Sequence, residues 1–369
     1  DETGEAEECR GRIDAETPSD LLTKLKSEIE RIIASRLSFT APSITANVQE
    51  GGSLYQAQFN YVKHGEWHGS LIRKKISADG SIVHDLDAQG NYDAAKNVRN
   101  QAESDTRKIW TTLPGADYRN ENWNNFTEDN ASKINKLFTL TGDKVPDFHN
   151  SNSNCKGTPG VEDGNADDIK GLINFVRGKD YFAYEGCDNL NNTRTSVLGD
   201  IYHSQIVEVG RPKASTSFSN TNQESYWRKI NGYRSWSNSV KREKVMYVGA
   251  NDGALHAFYT SGPLAGQEVW AFVPPFIAGQ LPSLVNEALD GINSDKGGTN
   301  SIFAVDGSPV IHDVYIRGLD SKGNYIPADG PKSWHTILFI PYGRGGAGFS
   351  VLDVTNPLTP YHMFSVYND

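Results

Sequence analysis

Val245-Met246-Tyr247-Val248-Gly249-Ala250-Asn251-Asp252-Gly253-Ala254-Leu255-His256-Ala257-Phe258 decides how this chain is read. An apolar run meets Asn-Asp-Gly, residues that tolerate the positive φ of a tight turn, and a second apolar run follows. The stretch predicts a β-hairpin. It also returns: shifted by about ninety residues, Phe258-Tyr259-Thr260-Ser261-Gly262-Pro263-Leu264 lies over Leu352-Asp353-Val354-Thr355-Asn356-Pro357-Leu358. Without a gap, Trp270-Ala271-Phe272 then falls on Phe364-Ser365-Val366, and Val245 on Phe339. Each copy reads strand, glycine turn, strand, proline-bearing loop, strand. Each follows a Ser-containing apolar run, His203-Ser204-Gln205-Ile206-Val207 or Gly307-Ser308-Pro309-Val310-Ile311. Four antiparallel strands per copy are the content of a propeller blade, whereas unrelated hairpins sharing turn residues would not keep register past the turn. The expected fold is therefore mainly β: a β-propeller, incomplete in this chain, of about two to three blades.

Working outward, a weaker meander lies upstream. Leu54-Tyr55-Gln56-Ala57-Gln58-Phe59 alternates, and Trp67-His68-Gly69-Ser70-Leu71-Ile72 leads through Ile76 and Asp79-Gly80 to Ile82-Val83. It reads as part of a blade or as a small separate sheet. Residues 1–40 are an acidic start and a helix: Thr17 caps, Pro18 takes the first helical position, and Leu21, Leu22, Leu25, Ile29, Ile32 and Ile33 form its apolar stripe. Residues 41–150 hold the early strands and then a polar, irregular segment from 93, with Trp110, Trp123, Phe126, Ile134, Leu137 and Phe138 as anchors and a short helix near Ala131–Leu137. Residues 151–196 are an Asn/Gly-rich loop followed by a helix at 166–177. The blades occupy 197–280 and 281–369, the second behind an insertion expected to be helical at Leu284–Leu289.

Composition narrows the function. Thirty-five Gly and sixteen Pro suit a turn-rich β-protein. A net charge of −10 argues against a nucleic-acid partner, whose phosphates need a basic face. The one basic run, Lys241-Arg242-Glu243-Lys244, reads as a solvated loop ahead of a strand. No run approaches the ~20 apolar residues of a membrane helix. The chain opens on Asp1-Glu2 without a signal sequence, as a processed or trimmed segment of something longer would.

Candidate chemistry is sparse. Asp163, Asn165 and Asp167 place three oxygen ligands at alternating positions ahead of a helix, as the start of a calcium loop does. The bidentate twelfth position falls on Asn174, and Asp167 and Asp168 equally suit the cap of that helix. Cys155 and Cys187 sit in polar loop sequence where a free thiol gains nothing from burial. A disulfide between them would contribute roughly 3–4 kcal/mol and implies an oxidising compartment. Cys9 has no evident partner, and no cysteine pair has zinc spacing. Gly343-Arg344-Gly345-Gly346-Ala347-Gly348 fits G-x-G-x-x-G, but strand-like residues follow it, so it reads as a hairpin turn. His64-Gly65-Glu66-Trp67-His68 lacks the zinc-helix spacing. His256, mid-strand and opposite in phase to Leu255 and Ala257, reads as a packing residue rather than a base. No catalytic constellation emerges.

Four ordered motifs resemble one family, the type IV pilus tip adhesin and biogenesis proteins known as PilC or PilY. They are Gly199-Asp200-Ile201-Tyr202-His203-Ser204, the 246–258 run, Phe303-Ala304-Val305-Asp306-Gly307-Ser308-Pro309-Val310, and Leu352-Asp353-Val354-Thr355-Asn356-Pro357. Leu54–Ala57 with Trp67–Gly69, and Phe175–Gly178, resemble the family's pre-propeller segment. The resemblance implies a carboxy-terminal propeller behind an α/β von Willebrand A-like domain, of which the helix at 18–36 would be the last. It implies a secreted protein at the pilus tip or outer cell surface, working with minor pilins and a host or abiotic receptor in pilus biogenesis, adhesion and twitching motility. No match to the family's propeller calcium loop is found, and Gln205-Ile206 replaces its usual Ser-Pro. The competing reading is a quinone-cofactor (PQQ-type) propeller dehydrogenase, whose repeats resemble Val248–Gly253 and Gly266–Trp270 but whose adjacent cysteine pair is missing here. An unclosed ring leaves bare sheet edges. More chain, or another chain, is expected to cover them.

Overall fold

The computed structural model describes residues 17–20, 23–24, 43–44, 53–60, 68–77, 79–86, 90–113, 123–138, 169–179, 193–218, 222–286, 298–320, 322 and 324–368. The decisive hairpin forms as predicted: β7 (Val245–Gly249) pairs antiparallel with β8 (Leu255–Tyr259), Val248 opposite His256. Gly253 closes the turn at φ +100°, and a Cβ there would lie 2.3 Å from Leu281 Cδ2, so only glycine suits the position. With β6 (Val207–Val209) and β9 (Glu268–Phe272) the hairpin makes a four-stranded meander. The second copy is β12 (Val310–Ile316), β13 (Ser333–Pro341), β14 (Gly348–Asp353) and β15 (Tyr361–Tyr367), again a meander in chain order. The offset that carries Val245 to Phe339 holds in fine detail. Each meander has a β-bulge between its last two strands, at Ala257/Phe258 and at Val351/Leu352, which are the same place in the repeat.

Packing follows the repeat. Met246, Val248 and Phe258 face one way, into a cluster with Tyr55, Ala57 and Leu71. Val245, Tyr247, Ala257 and Trp270 face the other way, into a cluster with Leu338, Ile340, Tyr342 and Leu352 of the second meander. The first meander is thus buried on both faces, and all five residues of β7 and of β9 are buried. That is why its strands read as continuous apolar runs rather than as clean alternation. The upstream meander is real too: β1 (Ser43–Ile44), β2 (Ser53–Asn60), β3 (His68–Ile76) and β4 (Ile82–His84) form a sheet in that order, on the far side of the first blade. Three antiparallel sheets therefore stack face to face, and among the described residues they do not close into a ring.

Other elements tie these sheets together. β5 (Ile109–Trp110) adds in parallel to β9, extending the first blade to five strands. β10 (Val285–Asn286) pairs with β11 (Gly298–Thr299), so Val285 and Asn286 are extended, not helical as expected, because backbone pairing outweighs a short apolar run. The segment from 93, expected to be irregular, opens with helix α1 (Ala94–Glu103). Asp93 caps it by accepting from Ala95 N–H at 3.1 Å, and also accepts from Leu71 N–H and the Ser70 hydroxyl. α2 (Ala131–Phe138) and α3 (Ile169–Arg177) pack their buried faces together with Ile109, Phe126 and Leu281. Two further helices not anticipated, α4 (Gln223–Ile230) and α5 (Tyr233–Ser239), lie between β6 and β7 and pack Tyr233 and Trp236 on Trp334 of the second blade. At the amino end, Asp20 N–H donates to Thr17 Oγ1, the predicted cap; the apolar stripe from Leu21 to Ile33 lies outside the described residues.

Asp93→Ala should cost about 2–3 kcal/mol, one helix cap plus a buried strand N–H left without its acceptor. A urea titration followed by far-ultraviolet circular dichroism measures it, with Asp79→Ala, on an exposed turn, as the near-neutral reference.

Candidate functional site

Three of the four resemblance-bearing motifs converge at one place, the seam where the loops preceding each blade cross the β7–β8 turn. The fourth, Leu352–Pro357, lies elsewhere between the blades, where Thr355 O accepts from Arg242. Asn251 is the centre of the seam. Its backbone N–H donates to Asp200 O at 3.0 Å, its amide nitrogen to Asp200 Oδ2 at 2.7 Å, and its Oδ1 accepts from Ala304 N–H at 3.1 Å. Asp252 accepts from Gly199 N–H, Ser204 Oγ accepts from Gly249 N–H, and Val305 N–H donates to Ala250 O. On the rim, His203 Nδ1 lies 2.7 Å from Asp306 Oδ2, and Ser308 Oγ donates to His203 O. Gly199–Ser204, Gly249–Asp252 and Ala304–Ser308 therefore act as one hydrogen-bonded clasp between blades. Burial pushes Asp200 up to about 6, despite the hydrogen bond from Asn251, with Asp252 and Asp306 adding repulsion.

Beneath the clasp runs a buried ionic relay. The Arg107 guanidinium donates to both oxygens of Glu268, Nε to Oε2 at 2.8 Å and Nη2 to Oε1 at 3.0 Å. Glu268 Oε1 lies 2.7 Å from His256 Nδ1, and His256 Nε2 lies 3.1 Å from each oxygen of Asp252. The side chains of Arg107, Glu268 and His256 are 2%, 0% and 0% exposed, so water screens none of them. Burial alone would discharge each group, yet the two carboxylates flanking His256 raise it to about 9. Against the same burial, His256 and Arg107 hold Asp252 and Glu268 down at about 2. Two cations and two anions balance, as buried charges must.

Chemically this arrangement is a lock. Both nitrogens of His256 are engaged by carboxylates, no Ser or Cys among the described residues is bonded to it, and the cation has no lone pair for base catalysis. His256 is buried mid-strand, as expected of a packing residue rather than a base, but its packing is ionic: it is the hub of an ion network. Arg107 and Glu268 were not singled out by the sequence. The signal for Glu268 was an acid inside an apolar strand; for Arg107 there was none, because its place depends on β5 joining β9.

Asp163, Asn165 and Asp167, with Cys155 and Cys187, lie outside the described residues, as does Cys9. Gly343–Gly348 joins β13 to β14, the hairpin turn expected. Of His64–His68 only His68, at the start of β3, is described. Arg242 departs from the solvated-loop expectation: it donates to Gly210 O, Thr336 Oγ1 and Thr355 O, bridging the two blades.

Comparison with known proteins places this geometry. Residues 198–363 match the family profile described as the PilY1 beta-propeller domain. The chain is 28% identical over 353 residues to the type IV pilus biogenesis factor PilY1 of Pseudomonas aeruginosa (strain PAK), covering 93% of this chain and 25% of that protein. A type IV pilus biogenesis factor PilY1 homolog of Xylella fastidiosa (strain Temecula1 / ATCC 700964) is 32% identical over 187 residues, 50% of this chain and 13% of the homolog. The crystal structure of the Pseudomonas aeruginosa PilY1 C-terminal domain aligns over 43% of this chain and 25% of that one, at 26% identity and a TM-score of 0.26. The chain spans about a quarter of the length of the Pseudomonas relatives. No described helix is long and apolar enough to cross a membrane. Two meanders on one register and the clasp of motif residues coincide with the stretch that is similar to the PilY1 beta-propeller domain.

Proposed function

We propose that this chain is the blade-bearing part of a secreted pilus-associated protein that acts by binding rather than by catalysis, supporting pilus biogenesis, surface adhesion and twitching motility from the pilus tip. One observation carries the reading: residues of the motifs that resemble the pilus biogenesis family are spent on holding blades together, Asn251 against Asp200 and Ala304. A rigid stack of sheets presents loops and faces to partners, here minor pilins and a surface receptor. The β1–β4 meander is read as a third blade, residues 1–40 as the end of a von Willebrand A-like domain, Asp163, Asn165 and Asp167 as calcium ligands, and Cys155–Cys187 as a disulfide.

Deleting the parent gene should remove most surface pili and shrink the twitching zone, with restoration by the wild-type gene. Unchanged piliation and attachment would refute the reading. Incubating the purified protein with pyrroloquinoline quinone and calcium and assaying alcohol oxidation tests the dehydrogenase alternative, for which no activity is expected.

A further inference from the structure

Between the two blades, beside the β6–β7 insertion and the Leu352–Pro357 motif, lies an open cleft of about 760 Å³. Arg211, Lys241 and Arg242 line it together with Asn238, Thr355 and Asn356; Glu243 is the one acidic residue of the lining. Three cations on one cleft are unexpected in a chain of net charge −10.

Their partners make the point sharper. Among the described residues none of the three forms an ion pair. Arg211 spends its guanidinium on Ser237 O and Asn238 Oδ1. Arg242 binds only neutral oxygens, through Nε to Gly210 O at 2.7 Å and Nη1 to Thr336 Oγ1 and Thr355 O at 2.8 and 3.2 Å. Its Nη2 donates to no described residue. The nearby carboxylates are already committed: Asp313 accepts from Tyr233 and Thr336 hydroxyls, and Asp353 is held by His335 and the Thr355 hydroxyl. Burial lowers the Arg242 pKa, against the opposing pull of Asp313 and Asp353, neither of which contacts the guanidinium directly. A partly buried cation with an unused fork edge, flanked by two more cations and side-chain amides, is the donor set that oxyanions bind.

We propose that this inter-blade cleft is a binding site for a multiply charged oxyanion of the phosphate or sulfate class, with Arg242 as the fixed fork and Lys241 and Arg211 as flanking cations. The size of the cleft admits either a free polyanion or a phosphate or sulfate ester on a saccharide. Such a ligand would bridge residues of both blades, because Arg211 and Lys241 flank the first while Thr355 and Asn356 belong to the second.

The test is isothermal titration of the 369-residue chain at fixed ionic strength, in one arm with inorganic pyrophosphate and in the other with a sulfated heparin disaccharide. Lys241→Ala/Arg211→Gln is the variant, since both side chains are exposed and Arg242 itself holds the blades. Lys322→Ala, on an exposed turn elsewhere, is the control. One equivalent should bind in at least one arm, at least tenfold more weakly to the double variant, with the control and the melting temperatures unchanged. Tighter binding of the disaccharide assigns an ester, tighter binding of pyrophosphate a free ion. Absence of binding in both arms overturns the proposal, and so does equal affinity for the wild type and the double variant.

Discussion

Glu268→Gln should lower stability by about 3–5 kcal/mol, because it strips the carboxylate from two buried cations at once, Arg107 and His256. The amide keeps the shape, so the loss reports charge rather than a cavity. Arg107→Met/Glu268→Gln should recover part of it, giving a double-mutant coupling of at least about 1 kcal/mol. The pH profile supplies an independent readout. Asp252 and Glu268 titrate near 2 when folded, against ordinary values of 3.8 and 4.5, so their contribution is complete above about pH 4.5 and lost as pH falls toward 2. His256 titrates near 9 against 6.5, so its contribution is complete below pH 6.5 and lost as pH rises toward 9. Urea midpoints should therefore fall between pH 6.5 and 9 in the wild type, and that limb should flatten in His256→Gln. A wild-type midpoint constant across that window, with Glu268→Gln costing under 1 kcal/mol, would show that the relay does not hold charge.

What could be seen in the sequence divides along a physical line. The hairpin, both meanders and their offset were legible because turn chemistry and apolar runs are local, and the offset even locates the matching bulges at Ala257/Phe258 and Val351/Leu352. α1 was not legible, since its buried face is Ala94, Asn97, Val98 and Ala102, too small and polar to write an apolar stripe. Asn97 is buried because its amide donates to Gly266 O across the blade, a contact no local pattern encodes. α4 and α5 were missed for a related reason: Trp227 and Ile230 are about half exposed, and the helices are held by rings stacked on the second blade. The clasp motifs were visible as words but not as a clasp. Asp200, Asn251 and Ala304 meet only when successive blades stack.

That stacking leads to the steric counterpart of the relay. Gly249 ends β7 at the point where the next blade's leading loop crosses it, and a Cβ placed there would sit 2.1 Å from Val305 O. No rotamer relieves a clash between a Cβ and a backbone oxygen, so the loop itself must move. Moving it breaks Val305 N–H to Ala250 O and Ala304 N–H to Asn251 Oδ1, and opens the cluster in which Ala304 and Val305 pack against Tyr247 and Leu338. Gly249→Val should therefore cost more than about 4 kcal/mol, combining overpacking with two buried hydrogen bonds lost. The neighbouring contrast is Gly210→Ala, whose Cβ would meet only the flexible Lys244 side chain at 3.4 Å or more and should cost under about 1 kcal/mol. Hydrogen exchange locates the damage: amides of Ala304, Val305 and β13 should lose protection in Gly249→Val while those of β2 and β3 keep theirs. If the inter-blade seam is what the motif serves, the same substitution in the parent protein should lower surface piliation. Gly249→Val that melts with the wild type would place the next blade's loop elsewhere and dissolve the clasp.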